Sequence, residues 1–243
     1  MTVRSDLASA IASLPFDTIR QEFVSQDEFF AMKNFIPQTI VEHICDEFAK
    51  LRPKINRNYI PKHKKGGSVS RFTLEEHSPT IKEIYETPEF FDFLNNLVGG
   101  DLQDCPPEDP HAYALYCYTE PGDHIGFHYD TSYYKGRRYT ILIGVIDDST
   151  CELEYDLFTK NPQKETTRHS TSLAPGDFVF FNGDNLYHRI TPLGEGEERI
   201  ALTLEYVTDQ SMGWFPRFVS NMKDSIAYFG FKNVFLNKKG TTK

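Results

Sequence analysis

The segment Gly122–Ser132, GDHIGFHYDTS, places two histidines and two acids within eleven residues. His128 and Asp130 flank Tyr129, and residues two apart on an extended strand face the same side, so an imidazole and a carboxylate can hold one cation together. A third ligand must come from elsewhere. His188, which follows DFVFFNGDNLY and precedes another apolar run, is the best-placed candidate. Two imidazoles and one carboxylate on one face suit a six-coordinate ferrous ion and leave three positions open. A tetrahedral structural zinc would need a fourth protein ligand. Cys45, Cys105, Cys117 and Cys151 show no CxxC spacing and read as reduced thiols. His124 sits four residues before His128, but the Pro121-Gly122-Asp123 turn and Gly126 interrupt regular alternation, so it is expected to cap a turn or lie at the surface. Arg199, eleven residues after His188, opens the run ERIAL. Its planar fork matches a carboxylate at two points, as lysine cannot. The plain alternative is an edge pair with Glu197 or Glu198.

These groups need rigid elements to carry them. Residues 1–110 read as mainly helical support with a substrate loop. Leu7, Ile11 and Leu14 recur at helical spacing. After Pro37 the series Ile40, Val41, Ile44, Phe48, Leu51 keeps the helical period until Pro53 stops it, and Phe90 to Val98 follow Pro88 and end at Gly99-Gly100. Between them, residues 52–71 read as a basic loop with a strand near Val69–Phe72. From 111 to 207 the pattern changes to short aromatic and β-branched runs (AYALYCY, RRYTILIGVI, CELEYDLF, DFVFF, RIALTLEYV) separated by turn signals. That pattern predicts an antiparallel barrel or double-sheet jelly roll carrying the metal site. The turns Pro121-Gly122-Asp123 and Pro175-Gly176-Asp177 share a tripeptide. Residues 208–243 read as a C-terminal cover of mixed helix and coil. The expected class is therefore α+β, one catalytic domain with N-terminal helices packed on a barrel.

With 243 residues and a net charge of −9, the chain is long enough for a sizeable core and a poor default partner for nucleic acid. No run reaches the length of a membrane span, and MTVRSDLASAIASLPF lacks the apolar core of a signal peptide, so a cytoplasmic protein is expected. Between Glu47 and Glu75 there is no acid, whereas Arg52, Lys54, Arg57, Lys62, Lys64, Lys65 and Arg71 crowd together. This stretch is either a solvated loop or a loop that meets an anionic substrate group.

The run from Tyr118 through His128 and Asp130, with LAPGDF, HRITP and Arg199 after it, resembles the Fe(II)/2-oxoglutarate-dependent dioxygenases of the prolyl-hydroxylase-like superfamily. The likeness spans residues 111–207. It implies a double-stranded β-helix, also called a cupin-like jelly roll, with Fe(II) on His128, Asp130 and His188. It also implies 2-oxoglutarate held by Arg199 and by the Tyr118 hydroxyl, with O2 as oxidant and succinate and CO2 released. For Tyr118 a core aromatic role stands beside that one.

The compact length, the helical first hundred residues and the closing LTLEYVTD look like the branch that hydroxylates or halogenates free amino acids. There an arginine ahead of the barrel can hold the substrate carboxylate, and Arg71 is the candidate here, against an ordinary structural role. Halogenases of that branch carry Gly or Ala where this chain has Asp130, so Asp130 favours hydroxylation. Glu205, six residues beyond Arg199, is a candidate for a substrate ammonium or a structural ion pair. Tyr134 borders the iron segment as a pocket wall, and Trp214 is either a cover for the site or a core residue. Two other readings stay open: a prolyl-type hydroxylase acting on a protein, and a cupin-like metal-binding protein without turnover.

Overall fold

The computed structural model describes residues 2–130, 132 and 134–211. Six helices lie in its first half: α1 (Val3–Ala12), α2 (Phe16–Ser25), α3 (Gln38–Leu51), α4 (Arg71–His77), α5 (Pro79–Tyr85) and α6 (Pro88–Val98). α3 starts directly after Pro37 and buries Ile40, Val41, Ile44, Phe48 and Leu51, a single apolar stripe at the 3.6-residue period. α6 begins with Pro88 at its first position and stops on Gly99, whose φ of 90° lies in the left-handed region.

The strands are β1 (Phe29–Met32), β2 (Asn56–Ile60), β3 (Lys64–Ser70), β4 (Gln103–Asp104), β5 (Tyr113–Tyr118), β6 (His124–His128), β7 (Arg138–Asp148), β8 (Leu153–Leu157), β9 (Thr167–Thr171), β10 (Phe178–Asn182), β11 (Tyr187–Ile190) and β12 (Glu198–Val207). They form one curled sheet in the order β1-β10-β7-β12-β5-β3-β6-β11-β8-β9, with β2 on β3 and β4 on β12. The curl passes through β3, which pairs with β5 through Gly67–Ser70 and with β6 through Lys64 and Lys65. The architecture is the expected double-stranded β-helix with N-terminal helices packed on it.

Period-2 alternation decides which side chains face the helices and which face the barrel interior. On β12, Ile200, Leu202, Leu204 and Tyr206 join the core beneath the helices. Arg199, Ala201, Thr203 and Glu205 face the interior cavity instead. On β10, Phe178 and Phe180 pack under the helices, whereas Val179 and Phe181 join the inner cluster with Tyr118, Leu153 and Tyr155.

Residues 52–71 depart from the expected loop. They form a short helical turn, the β2–β3 hairpin and the start of α4, so the predicted strand near Val69–Phe72 lies instead at Lys64–Ser70 and Arg71 opens a helix. The hairpin escapes a periodicity reading because its inward side includes Gly66, and a β-carbon there would meet the Tyr118 ring at 3.4 Å. Much of its charge is consumed within the chain: Arg52 pairs with Glu198, Arg57 with Asp123 and Lys65 with Glu120.

The repeated tripeptide makes the same turn twice. Gly122 and Gly176 adopt φ of 79° and 87°, which a side chain would oppose. Asp123 accepts from the N–H groups of Thr119 and Glu120 and from both terminal nitrogens of Arg57. Asp177 accepts from the N–H groups of Ala174 and Asn34 and from Lys33. Asp123 is fully buried, so Asp123→Ala leaves donors unmet and unpins the hairpin. The expected loss is about 3 kcal/mol, the lower end for breaking a buried pair because Arg57 is partly exposed, and urea denaturation reads it.

No helix among the described residues is long and apolar enough to cross a membrane. Trp214 lies outside the described residues, as does most of the expected C-terminal cover.

Candidate metal centre

β6 ends on His128 and β11 carries His188, and the two are direct partners in an antiparallel pair. Direct partners share a face, so the HxD segment and a histidine sixty residues later meet through strand pairing. Their rings lie 4.3 Å apart between centroids. Asp130, just past the end of β6, turns its carboxylate toward both, with Oδ1 3.2 Å from His128 Nε2 and Oδ2 3.8 Å from His188 Nε2. One ligand atom from each residue lies within 4.8 Å of the others, making this the cluster of metal-binding type among the described residues.

The orientation of each ligand is set by a neighbour. Nδ1 of His128 is 2.8 Å from the Gly126 carbonyl and Nδ1 of His188 is 3.2 Å from the Leu186 carbonyl. A carbonyl can only accept, so both Nδ1 atoms carry a proton, and Nε2 of each faces the centre and offers a lone pair there once that ring is neutral, as metal binding requires. Thr140, on β7, donates its hydroxyl to Asp130 Oδ2 at 2.9 Å.

Electrostatics keep the set ready for a cation. Burial opposes ionisation of Asp130, but the charges of both histidines, the His128 bond and the Thr140 hydroxyl hold it well below the usual carboxylate range. Burial pushes His188 down to about 4, so this ring is neutral near pH 7. Burial lowers His128 as well, yet its bond to Asp130 and the charge of that carboxylate raise it on balance. Two neutral-capable imidazoles and a dedicated carboxylate fit a ferrous ion with open positions. The four free cysteines supply no ligand, and burial pushes the thiols of Cys105 and Cys117 up to about 12.

The triad opens into a cavity of about 70 Å³ that is open to solvent, also lined by Tyr118, Ile125, Leu142, Ile190, Arg199 and Glu205. Arg199 is buried, its Nε has no hydrogen-bond partner, and its guanidinium lies 5.5 Å above the Tyr118 ring. The edge pair with Glu197 or Glu198 is not made: Glu198 binds Arg52, and Glu197 binds Gly194 N–H and Thr150. A buried guanidinium with an open N–H on a cavity wall has the chemistry to receive a carboxylate. Burial keeps the Tyr118 phenol neutral and able to donate.

Other expected residues are dispersed. Glu205 lines the cavity and forms an ion pair with Arg138. Arg71 is not brought to the cavity; its Nε binds Glu75 at 2.8 Å, its NH1 reaches the Pro106 carbonyl, and it covers the Tyr113 ring. The start of α4 at Arg71 turns that side chain away from the barrel interior. Tyr134 is buried in the core and donates to Asp109 at 2.6 Å rather than lining the cavity. His124 binds the Gly122 carbonyl at 2.8 Å and stays outside the triad.

Sequence reading missed Thr140, Arg138 and Asp109. Thr140 lay inside the run RYTILIGVI, whose alternation of inward Thr140 and Leu142 with outward Ile141 and Ile143 is hidden because both sets are mostly apolar. It also missed Gly183. A β-carbon there would lie 2.7 Å from the Asp130 carbonyl oxygen and 2.8 Å from Asp130 Cβ. Gly183→Ala therefore displaces a ligand without touching it chemically. Metal affinity is expected to fall roughly 10–100-fold, as when an orienting partner is lost, and a Mn(II) titration checks this.

A curled antiparallel sheet with a His–Asp–His set and an inward arginine defines the fold of the Fe(II)/2-oxoglutarate oxygenases. Solved structures agree on that fold. The epimerase SnoN from nogalamycin biosynthesis is 13% identical, with 79% of this chain and 80% of that one covered and a TM-score of 0.65. A prolyl-4-hydroxylase from Pseudomonas putida is 13% identical over 81% of this chain and 100% of its own, with a TM-score of 0.62. A prolyl hydroxylase from Trichoplax adhaerens, solved with a hypoxia inducible factor peptide, is 13% identical over 87% and 94%, with a TM-score of 0.59. The family model Halogenase D matches residues 14–135, half of the chain, and the protein belongs to that family. No curated protein matches the sequence significantly.

Proposed function

We propose that this protein is an Fe(II)/2-oxoglutarate-dependent oxygenase that hydroxylates an unactivated C–H bond of a small free amino acid. The observation that carries the reading is one cavity holding both the converging Nε2, Nε2 and carboxylate set and, on its wall, the buried Arg199 with an open N–H. A passive metal site has no use for such a fork.

His128, Asp130 and His188 would hold the iron. When bound, it supplies oxidation by O2 coupled to decarboxylation of 2-oxoglutarate to succinate and CO2. The chain supplies position and surroundings. Arg199 takes the distal carboxylate of 2-oxoglutarate in two-point fashion, and the Tyr118 hydroxyl is a second donor on the same wall. Ile125, Leu142, Ile190 and Ala201 keep that region apolar and dry, which strengthens each charge contact. Thr140 fixes Asp130. Because Asp130 fills the third protein position, the site favours oxygen transfer over halide transfer, whatever the family's name suggests.

The other end of the cavity supports that substrate class. Glu205 shares Arg138 with Asp109, whose carboxylate is 3.5 Å from the same guanidinium. Burial opposes ionisation of Asp109, but Arg138, His111 and the Tyr134 hydroxyl hold it ionised. One arginine against two carboxylates leaves surplus negative charge, suited to a substrate ammonium at Glu205. An acidic protein partner has less to engage, since Arg52, Arg57, Lys65 and Arg71 are paired within the chain.

The test is succinate release from 2-oxoglutarate with Fe(II) and O2 across the free L-amino acids, with product masses. Stimulation by one amino acid and a product heavier by one oxygen is expected. Release stimulated only by peptides would overturn the substrate class.

A further inference from the structure

Lys64 sits in the basic stretch, yet it is half-buried. It pairs with Ile125 across β3 and β6, and direct partners share a face. Ile125 lines the cavity, so Lys64 points to the barrel interior. The next inward position is Gly66, packed against the Tyr118 ring. With no side chain in the way, the lysine stem runs along the sheet and sets Nζ 4.6 Å from the centre of the Tyr116 ring, another cavity wall. No carboxylate among the described residues is within ion-pair distance of it. Burial lowers its ammonium to about 8, against the attraction of Asp130.

An inward ammonium that, among the described residues, meets only a ring face is costly unless a ligand completes it. The charges of the cavity indicate which ligand. A divalent ion with Asp130, 2-oxoglutarate and Arg199 sums to neutrality. Two unmatched charges remain: the positive Lys64, and the negative surplus of Glu205 and Asp109 over Arg138. We infer that Lys64 is the specificity residue that receives the carboxylate of the substrate amino acid, the ammonium end lying toward Glu205. This inference rests on the proposed function and names the carboxylate contact for which Arg71 is not positioned.

Calorimetric titrations with Mn(II) in place of iron test it without turnover. The probes are 2-oxoglutarate and then, with 2-oxoglutarate present, the common free L-amino acids, each beside its own carboxamide, which lacks the negative charge. In the wild type at least one amino acid is expected to bind 10-fold or more tighter than its carboxamide. Lys64→Met should reduce that preference below threefold and leave the 2-oxoglutarate affinity within threefold, which also shows the site is folded. Lys64→Arg should keep most of the preference. A preference that survives Lys64→Met, or its absence for every amino acid, overturns the inference. So does a loss that falls on 2-oxoglutarate, which would assign Lys64 to the co-substrate. Failure of the wild type to bind 2-oxoglutarate at all overturns the proposed function itself, and is read before any variant is made.

Discussion

Asp130→Ala abolishes oxygenase turnover and lowers metal affinity by at least ~100-fold, because loss of even an outer orienting partner costs roughly 10–100-fold. Mn(II) titration and succinate release read the two effects separately. The variant also changes the metal-free protein in a way that pH reports. In the wild type Asp130 holds His128 above its usual value, so this ring adds stability below about pH 6.5, the unperturbed imidazole value, and loses it as pH rises through the raised value. His188 acts oppositely. Burial pushes it down to about 4, so it costs stability as pH falls from about 6.5 toward that value. Without Asp130, burial and the neighbouring positive charges act on both rings, opposed only by the carbonyls that Nδ1 binds. Metal-free Asp130→Ala should therefore lose stability faster than the wild type on acidification from pH 7 to 5, read from urea midpoints in chelator. Equal slopes would mean that Asp130 is not coupled to the histidines.

Arg199→Met raises the KM for 2-oxoglutarate on the order of 100-fold, the loss of about 2.7 kcal/mol expected for a two-point charge-assisted contact. Arg199→Lys recovers only part of this, since a point charge cannot reproduce the fork. Stability should move the other way. The wild-type guanidinium is buried with its Nε unpartnered, so methionine in its place is neutral or stabilising in the unliganded protein. A rise in KM with an unchanged or higher denaturation midpoint separates a binding role from a packing role. A fall in stability with KM unchanged would mean that Arg199 serves the fold alone.

The sequence made legible what depends on alternation and local spacing. HxD brings its two ligands together at the end of one strand, with Asp130 just beyond it, turn signals mark the barrel, and Arg199 and Glu205 fall on one face of β12 because six residues is an even step. The pairing of His188 with His128 is long-range, and only the wish for a third ligand pointed to it. Less was legible where a strand carries no clean pattern. The β2–β3 hairpin is polar outside, glycine-bearing inside and short of apolar residues, so it read as loop, and Lys64 was lost among its charges. Arg71 looked suitable by type and distance from the barrel, but the start of α4 turns it toward Glu75. The buried Arg138–Glu205–Asp109 group joins residues from three separate segments, and local sequence carries no sign of such a meeting.

His128, Asp130 and His188 are expected to bind iron beside a receptor for 2-oxoglutarate. Anaerobic titration of the Fe(II)-loaded protein with 2-oxoglutarate, followed by visible absorption, tests it directly, because a 2-oxo acid chelated to ferrous iron produces a charge-transfer band. A saturable band is expected in the wild type, no band in His188→Ala, and a band in Arg199→Met that saturates only at far higher 2-oxoglutarate. A wild type that binds Fe(II) but yields no band, or a His188→Ala variant with an undiminished one, would contradict that expectation.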